Sequence, residues 1–174
     1  PPYFVAGAIF SGLAMVVTLL IPVRACYGLK DFITARHLDV LAKLMLATGL
    51  LVAYGYVMEH FMSFYSADTY EEYMTRNRMV GPYALQYFTM LTCNVLVPQI
   101  LWSARIRRSA LALFVVSLLV NLGMWVERYV IVVTSLHRDF LPSSWGMYAG
   151  TIWDYAALLG SMGLFLLLLL VFIR

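Results

Sequence analysis

Five stretches of this chain are long and apolar enough to cross a bilayer. A helical crossing takes ~20 mostly apolar residues to span ~30 Å of hydrocarbon. Residues 2–23, 38–65, 82–102, 109–136 and 152–173 meet that length. Backbone polar groups in lipid must be satisfied internally, so each span is a helix unless the set closes into a barrel. A barrel strand alternates, whereas Leu164 to Val171 is an unbroken apolar block. Helices follow. The expected fold is an all-α integral membrane protein, an antiparallel four-helix bundle plus one following helix. Pro98 predicts a kink in the third span.

Composition agrees with this reading. Of the 174 residues 63% are hydrophobic and 12% charged. A soluble globule carries about 25% charge. The net charge of +3 fits basic residues gathered at one membrane face. No basic run interleaved with aromatics is present, which excludes nucleic acid as a partner. Cys26 and Cys93 stand far apart with no CxxC pattern, so neither a zinc site nor a haem-attachment motif is expected. The first span lacks the basic flank and short core of a signal peptide. The chain starts at Pro1 without Met and ends on an apolar run, which reads as a piece of a longer subunit.

Lys and Arg set the expected orientation. Arg24, Lys30, Arg36, Lys43, Arg105, Arg107, Arg108 and Arg174 fall on one side, Arg76, Arg78 and Arg138 on the other. Eight against three makes the first side cytoplasmic. Loops 66–81 and 137–151 then face the outer side of the membrane. The second loop mixes His137, Arg138 and Asp139 with Ser143, Ser144 and Trp145. Such a loop suits docking better than simple connection.

Ionisable groups inside a span cost roughly 2.5–3.5 kcal/mol on insertion scales, so each needs a partner or a task. Tyr56, Glu59, His60 and Ser63 share one helical face by spacing. Glu127 and Arg128 lie at similar depth in the fourth span, below which Ser117 and Asn121 begin a polar stripe that runs to Ser135. Packing of these helices would let Glu59 meet Arg128 and His60 reach the His137/Arg138 loop. Two readings stand. One is a buried ion pair locking two helices. The other is a proton or quinol site, which needs carboxylates, a His and hydroxyls in series. Tyr54, Thr48 and Asn121 could extend the path inward. Asp31, His37 and Asp39, beside Arg36, form a cytoplasmic cluster that reads as a solvated loop or as a point of proton uptake. No metal ligand set is expected.

The run Asn121-Leu122-Gly123-Met124-Trp125-Val126-Glu127-Arg128-Tyr129 continues through Ser135-Leu136-His137-Arg138-Asp139-Phe140-Leu141-Pro142-Ser143-Ser144-Trp145. With the opening Pro1-Pro2-Tyr3-Phe4-Val5-Ala6-Gly7 and the segments Asp31-Phe32-Ile33-Thr34, Arg36-His37-Leu38-Asp39 and Ala47-Thr48-Gly49-Leu50, it resembles the NrfD/PsrC-type (polysulfide reductase membrane subunit) family. The likeness is greatest to the ActC-type branch of bacterial alternative complex III. The resemblance implies two four-helix bundles with flanking helices, the spans here corresponding to the second bundle and the helix after it. It implies a subunit that binds no redox cofactor itself and oxidises menaquinol or another quinol near the outer face. Its partners would be an iron–sulfur subunit on that face, cytochrome c subunits carrying haem c, and a homologous membrane subunit. The family's principal quinol His and Asp would precede Pro1. What carries over is the loop His137, Arg138 and Asp139 and the buried Glu59, His60, Glu127 and Arg128. Solute or ion transport, or a haem-b membrane anchor using His60 and His137, are the competing classes.

Overall fold

The computed structural model describes residues 2–138 and 142–173. Five helices are long and apolar enough to cross a membrane: Pro2–Cys26, Ala35–Tyr65, Ala84–Trp102, Ala110–Thr134 and Ile152–Ile173. They are called here the first to fifth spans. The expected boundaries shift by three residues or fewer. Two compact units result, one up to Ser135 and one from Leu136 onward.

In the first unit, four spans form a bundle. The first packs on the second and fourth, and the third packs on the same two. Their shared core takes Phe10, Ala14 and Val17 from the first span and Leu113, Val116, Val120 and Met124 from the fourth. Along the second span the buried positions are Leu38, Ala42, Met45, Gly49, Val52, Tyr56 and Ser63, with Leu46 buried beside Met45. Steps of four and three keep one seam facing the bundle axis. Tyr56 and Ser63 lie on that seam, so apolar packing itself carries polar groups inside. Glu127 continues the seam of the fourth span after Val120 and Met124.

Local chemistry sets the ends. Gly28 adopts φ +67°, and the Leu29 N–H donates to the Arg24 carbonyl at 3.1 Å. This is a left-handed glycine closing the first helix. Thr34 begins the second: its N–H donates to His37 Nδ1 at 3.2 Å, and its hydroxyl lies 3.0 Å from the same nitrogen. Residues 66–81, expected as a loop, hold a helix, Thr69–Val80. Asp68 caps it by accepting from the Tyr70 N–H at 2.9 Å. Glu71 and Glu72 in its first turn and Arg78 in its last suit the helix dipole.

The third span is not uniform. It is α-helical to Leu91, π-helical over Thr92–Leu96, and tightens to a 3-10 turn at Ile100–Trp102. Pro98 supplies the reason. It has no N–H for the Asn94 carbonyl four residues back, and its ring crowds that carbonyl. Widening the turn relieves the clash, and the Val97 N–H reaches the Thr92 carbonyl instead. The expected kink therefore takes the form of a π stretch centred on Asn94. A second π stretch, Val130–Thr134, follows directly on the turn that bears Glu127.

The second unit holds the fifth span, preceded by a short 3-10 turn at Pro142–Ser144. The Asp154 carboxylate accepts from the Thr151 N–H at 2.7 Å and its hydroxyl at 2.8 Å. That fixes the first turn of the span. No described residue of the fifth span is buried.

Candidate functional site

The seams of the second, third and fourth spans bring Tyr56, Asn94 and Glu127 together inside the bundle. Glu127 is 2% exposed, Tyr56 4% and Asn94 0%. The Tyr56 hydroxyl donates to Glu127 Oε2 at 2.7 Å. Asn94 Nδ2 donates to the Tyr56 oxygen at 2.9 Å and to Glu127 Oε2 at 3.2 Å. From the first span, the Tyr3 hydroxyl donates to Glu127 Oε1 at 3.4 Å. All four spans thus contribute to one carboxyl group. Every neighbour is a donor, which suits a group whose ionised form only accepts.

The aromatic rings brace this set. Tyr3 and Tyr56 meet edge to face at 5.5 Å. The Tyr3 ring lies against Gly55, where a Cβ would stand 2.2 Å from Tyr3 Cδ2. Gly55 is therefore what lets the first span bring its hydroxyl to Glu127.

A cavity of about 410 Å³ opens over this cluster. Tyr3, Tyr56 and Glu127 form its polar part, and Phe4, Met62, Met90 and Val130 are among its apolar walls. Glu59 and Arg78 also line it, joined at 2.7 Å, with Glu59 about half exposed. A carboxylate under an apolar vault with a charged rim can hold a ligand that combines a flat apolar body with ionisable hydroxyls.

Several expected contacts differ. Glu59 meets Arg78 of the helix Thr69–Val80, not Arg128. Arg128 is exposed and lies over the Phe4 ring at 5.6 Å. One residue beyond Glu127 is about 100° further around the helix, so the two cannot share the seam. The hydrogen bonds described for His60 are within the bundle. Its Nδ1 faces the Tyr56 carbonyl at 2.7 Å, and its Nε2 meets the Tyr87 hydroxyl. A carbonyl only accepts, so Nδ1 carries the proton and, in the neutral ring, Nε2 accepts from Tyr87. Ser63 bonds Thr75 at 2.6 Å and the Glu71 carbonyl at 3.0 Å, tying the second span to the connecting helix.

The inward extension divides. Asn121 Nδ2 donates to Thr18 Oγ1 at 2.9 Å, and Thr18 lies 2.9 Å from Ser117 Oγ. This is a separate polar clasp between the first and fourth spans. Thr48 bonds its own helix at the Leu44 carbonyl, 2.9 Å away. Tyr54 is 63% exposed. At the far end of the bundle Asp39 is held by Lys43 at 2.7 Å and Arg107 at 2.8 Å. Arg107 also donates to the Leu101 and Trp102 carbonyls at 2.7 and 2.8 Å, closing the C-terminus of the third span. His37 caps the second span, and Asp31 lies exposed in the preceding turn.

In the second unit, His137 is buried and Ser143 exposed. The His137 carbonyl accepts from the Gly146 N–H at 3.2 Å, and Arg138 lies over the Trp145 ring at 5.5 Å. Asp139 and the Ser144 side chain lie outside the described residues. Sequence reasoning did not single out Asn94, Tyr3 or Thr18. Asn94 had one usable signal, an amide four residues before a proline.

Five apolar helices, four of them enclosing a hydrogen-bonded carboxyl group, define a multi-pass helical membrane protein with a titratable side chain in its interior. The family model for polysulphide reductase, NrfD, matches residues 1–138. The chain belongs to that family. Its members are membrane subunits of quinone-interacting oxidoreductase complexes and generally pair with an iron–sulfur subunit. Comparison with individual curated proteins finds no match.

Proposed function

We propose that this chain is part of the quinol-oxidising membrane subunit of an alternative complex III type assembly. It contributes a wall of the quinol site and a carboxylate that handles the released protons. The observation that carries this reading is Glu127, buried at the polar end of a largely apolar cavity and met there by Tyr56, Asn94 and Tyr3.

A quinol gives up two protons and two electrons as it becomes a quinone. The electrons pass to iron–sulfur clusters of a partner subunit on the outer face and onward through haem c. The apolar walls hold the ring and isoprenoid tail, and their exclusion of water strengthens the polar contacts within. Glu127 takes the proton of a quinol hydroxyl as an O–H bond breaks on the quinol and forms on the carboxylate. The Tyr56 hydroxyl fixes the carboxylate for that transfer. Glu59 and Arg78 at the rim, with His60 and Tyr87 behind them, lead the proton toward the periplasmic face. The loop His137, Arg138, Asp139, Ser143 and Ser144 faces the iron–sulfur partner.

The test is Glu127→Gln in the whole complex reconstituted in liposomes with a menaquinol analogue. Positioned proton transfer contributes about 10²–10⁴-fold, so both quinol oxidation and proton release should fall by at least the lower figure. Unchanged turnover and unchanged proton release would overturn the reading. A Soret band in the purified chain would instead assign it to haem-b anchors, and solute uptake by quinol-free vesicles to transporters.

A further inference from the structure

The two oxygens of Glu127 are not equivalent. Oε2 accepts from the Tyr56 hydroxyl at 2.7 Å and from Asn94 Nδ2 at 3.2 Å. Among the described residues Oε1 has only the Tyr3 hydroxyl, at 3.4 Å, longer than an ordinary O–H···O bond. Asn94 makes this difference. Its orientation is dictated, because turning the amide over would set Oδ1 against a carboxylate oxygen. With Nδ2 toward Glu127, Oδ1 is buried without a hydrogen-bond partner among the described residues. It points at Gly123, where a Cβ would stand 2.2 Å from Oδ1 and 2.6 Å from the Cys93 Cβ. Only the glycine hydrogen fits there, and a Cα–H···O contact is what remains for Oδ1. The amide is therefore held from both sides, by the π stretch on its own helix and by a glycine on the fourth.

We infer that Asn94 is the positioning residue of this site. It occupies Oε2 together with Tyr56 and leaves Oε1, the oxygen turned toward Tyr3 and the cavity wall, as the atom that gains and loses the proton. The step is proton transfer alone. An O–H bond in the cavity breaks, one forms at Oε1, and no electron passes through the carboxylate. A proton on Oε2 would have to displace one of two donors, whereas one on Oε1 displaces at most a long contact. Gly123 is the second part of the device, since any side chain there evicts the amide. The inference rests on the quinol reading for its role in turnover but not for its geometry.

Infrared difference spectra of the purified complex test it, with the Glu127 carboxyl band assigned by its disappearance in Glu127→Gln. In Asn94→Leu, which keeps the branched shape and removes the donor, that band should rise in frequency, because the C=O at Oε2 loses a hydrogen bond. Turnover should fall about tenfold, the scale of one hydrogen bond to a charged group. Gly123→Ala removes no polar group yet should move the same band the same way. If Asn94→Leu fails to assemble, Gly123→Ala decides alone. A Glu127 band unmoved in the variants that assemble overturns the inference. Normal turnover in Glu127→Gln with a shifted band in Asn94→Leu would instead sink the quinol reading and leave the positioning intact.

Discussion

Replacing Tyr56 by Phe removes one oxygen from the centre of the site and little else. The ring keeps its edge contact with Tyr3 at 5.5 Å and its place on the second-span seam. Asn94 Nδ2 retains Glu127 Oε2 at 3.2 Å, so the amide nitrogen keeps one of its two acceptors. The carboxyl group loses its 2.7 Å hydrogen bond at Oε2, and the 2.9 Å bond that Asn94 Nδ2 donates to the Tyr56 oxygen goes with it. Interhelical hydrogen bonds within membranes average about 0.6 kcal/mol and reach about 1.7. Those to charged groups run about 1.5–3 kcal/mol. The overlap of the two ranges sets the expectation at about 1.5 kcal/mol, or about tenfold in rate. The assay is quinol oxidation by the reconstituted complex in a double-mutant cycle with Glu127→Gln. Tyr56→Phe alone should cost about tenfold and add almost nothing once Glu127 is Gln. Independent sites add to within about 0.3–0.5 kcal/mol. Additivity at that level, or a Tyr56→Phe enzyme as fast as the parent, would refute coupling through this bond.

Gly55→Ala should displace the Tyr3 ring, whose Cδ2 lies 2.2 Å from the added Cβ; Tyr3 fluorescence and quinol affinity should change together. Arg107→Ala leaves Asp39 with Lys43 only and frees the Leu101 and Trp102 carbonyls, so the thermal midpoint should fall by an amount equivalent to about 2 kcal/mol. Lys at 107 should not restore it, because the guanidinium fork is needed to bond carboxylate and carbonyls at once. Glu59→Gln breaks a half-exposed pair with Arg78 and should change stability by less than about 1 kcal/mol, read by the same unfolding assay. Thr18→Val removes the acceptor for Asn121 and should cost about 0.6–1.7 kcal/mol in thermal unfolding.

The spans were legible because lipid leaves a helix no alternative, and the seam positions were legible in their four-and-three spacing. Glu127, Tyr56 and His60 drew attention because polar groups at that depth are costly. Their partners were harder to read. Hydropathy gives depth but not azimuth, so Glu59 and Arg128 looked like neighbours until the packing turned them toward Arg78 and Phe4. The helix Thr69–Val80 was visible in Asp68, Glu71, Glu72 and Arg78, but a reading tuned to apolar runs passed over it. Asn94 escaped because its inward aim depends on a π stretch, and Tyr3 because its reach depends on the missing Cβ of Gly55. Both are properties of two helices at once, which no single segment records.

The π stretch also divides the third span into halves with independent rotational phase. Buried positions run Tyr83, Tyr87, Met90, Cys93, Asn94, Pro98 and Leu101, with Cys93 and Asn94 adjacent inside the π stretch, whose wider turn takes in one surplus residue. The surplus residue lets Tyr83, Tyr87 and Met90 choose their face without fixing that of Leu101. A one-residue deletion between Asn94 and Pro98 would cancel the offset and force the halves into a single screw. The amide and the far-end anchor could then no longer both face inward. The third span works as a rod with a swivel set into it, and the swivel lies where the carboxylate is gripped.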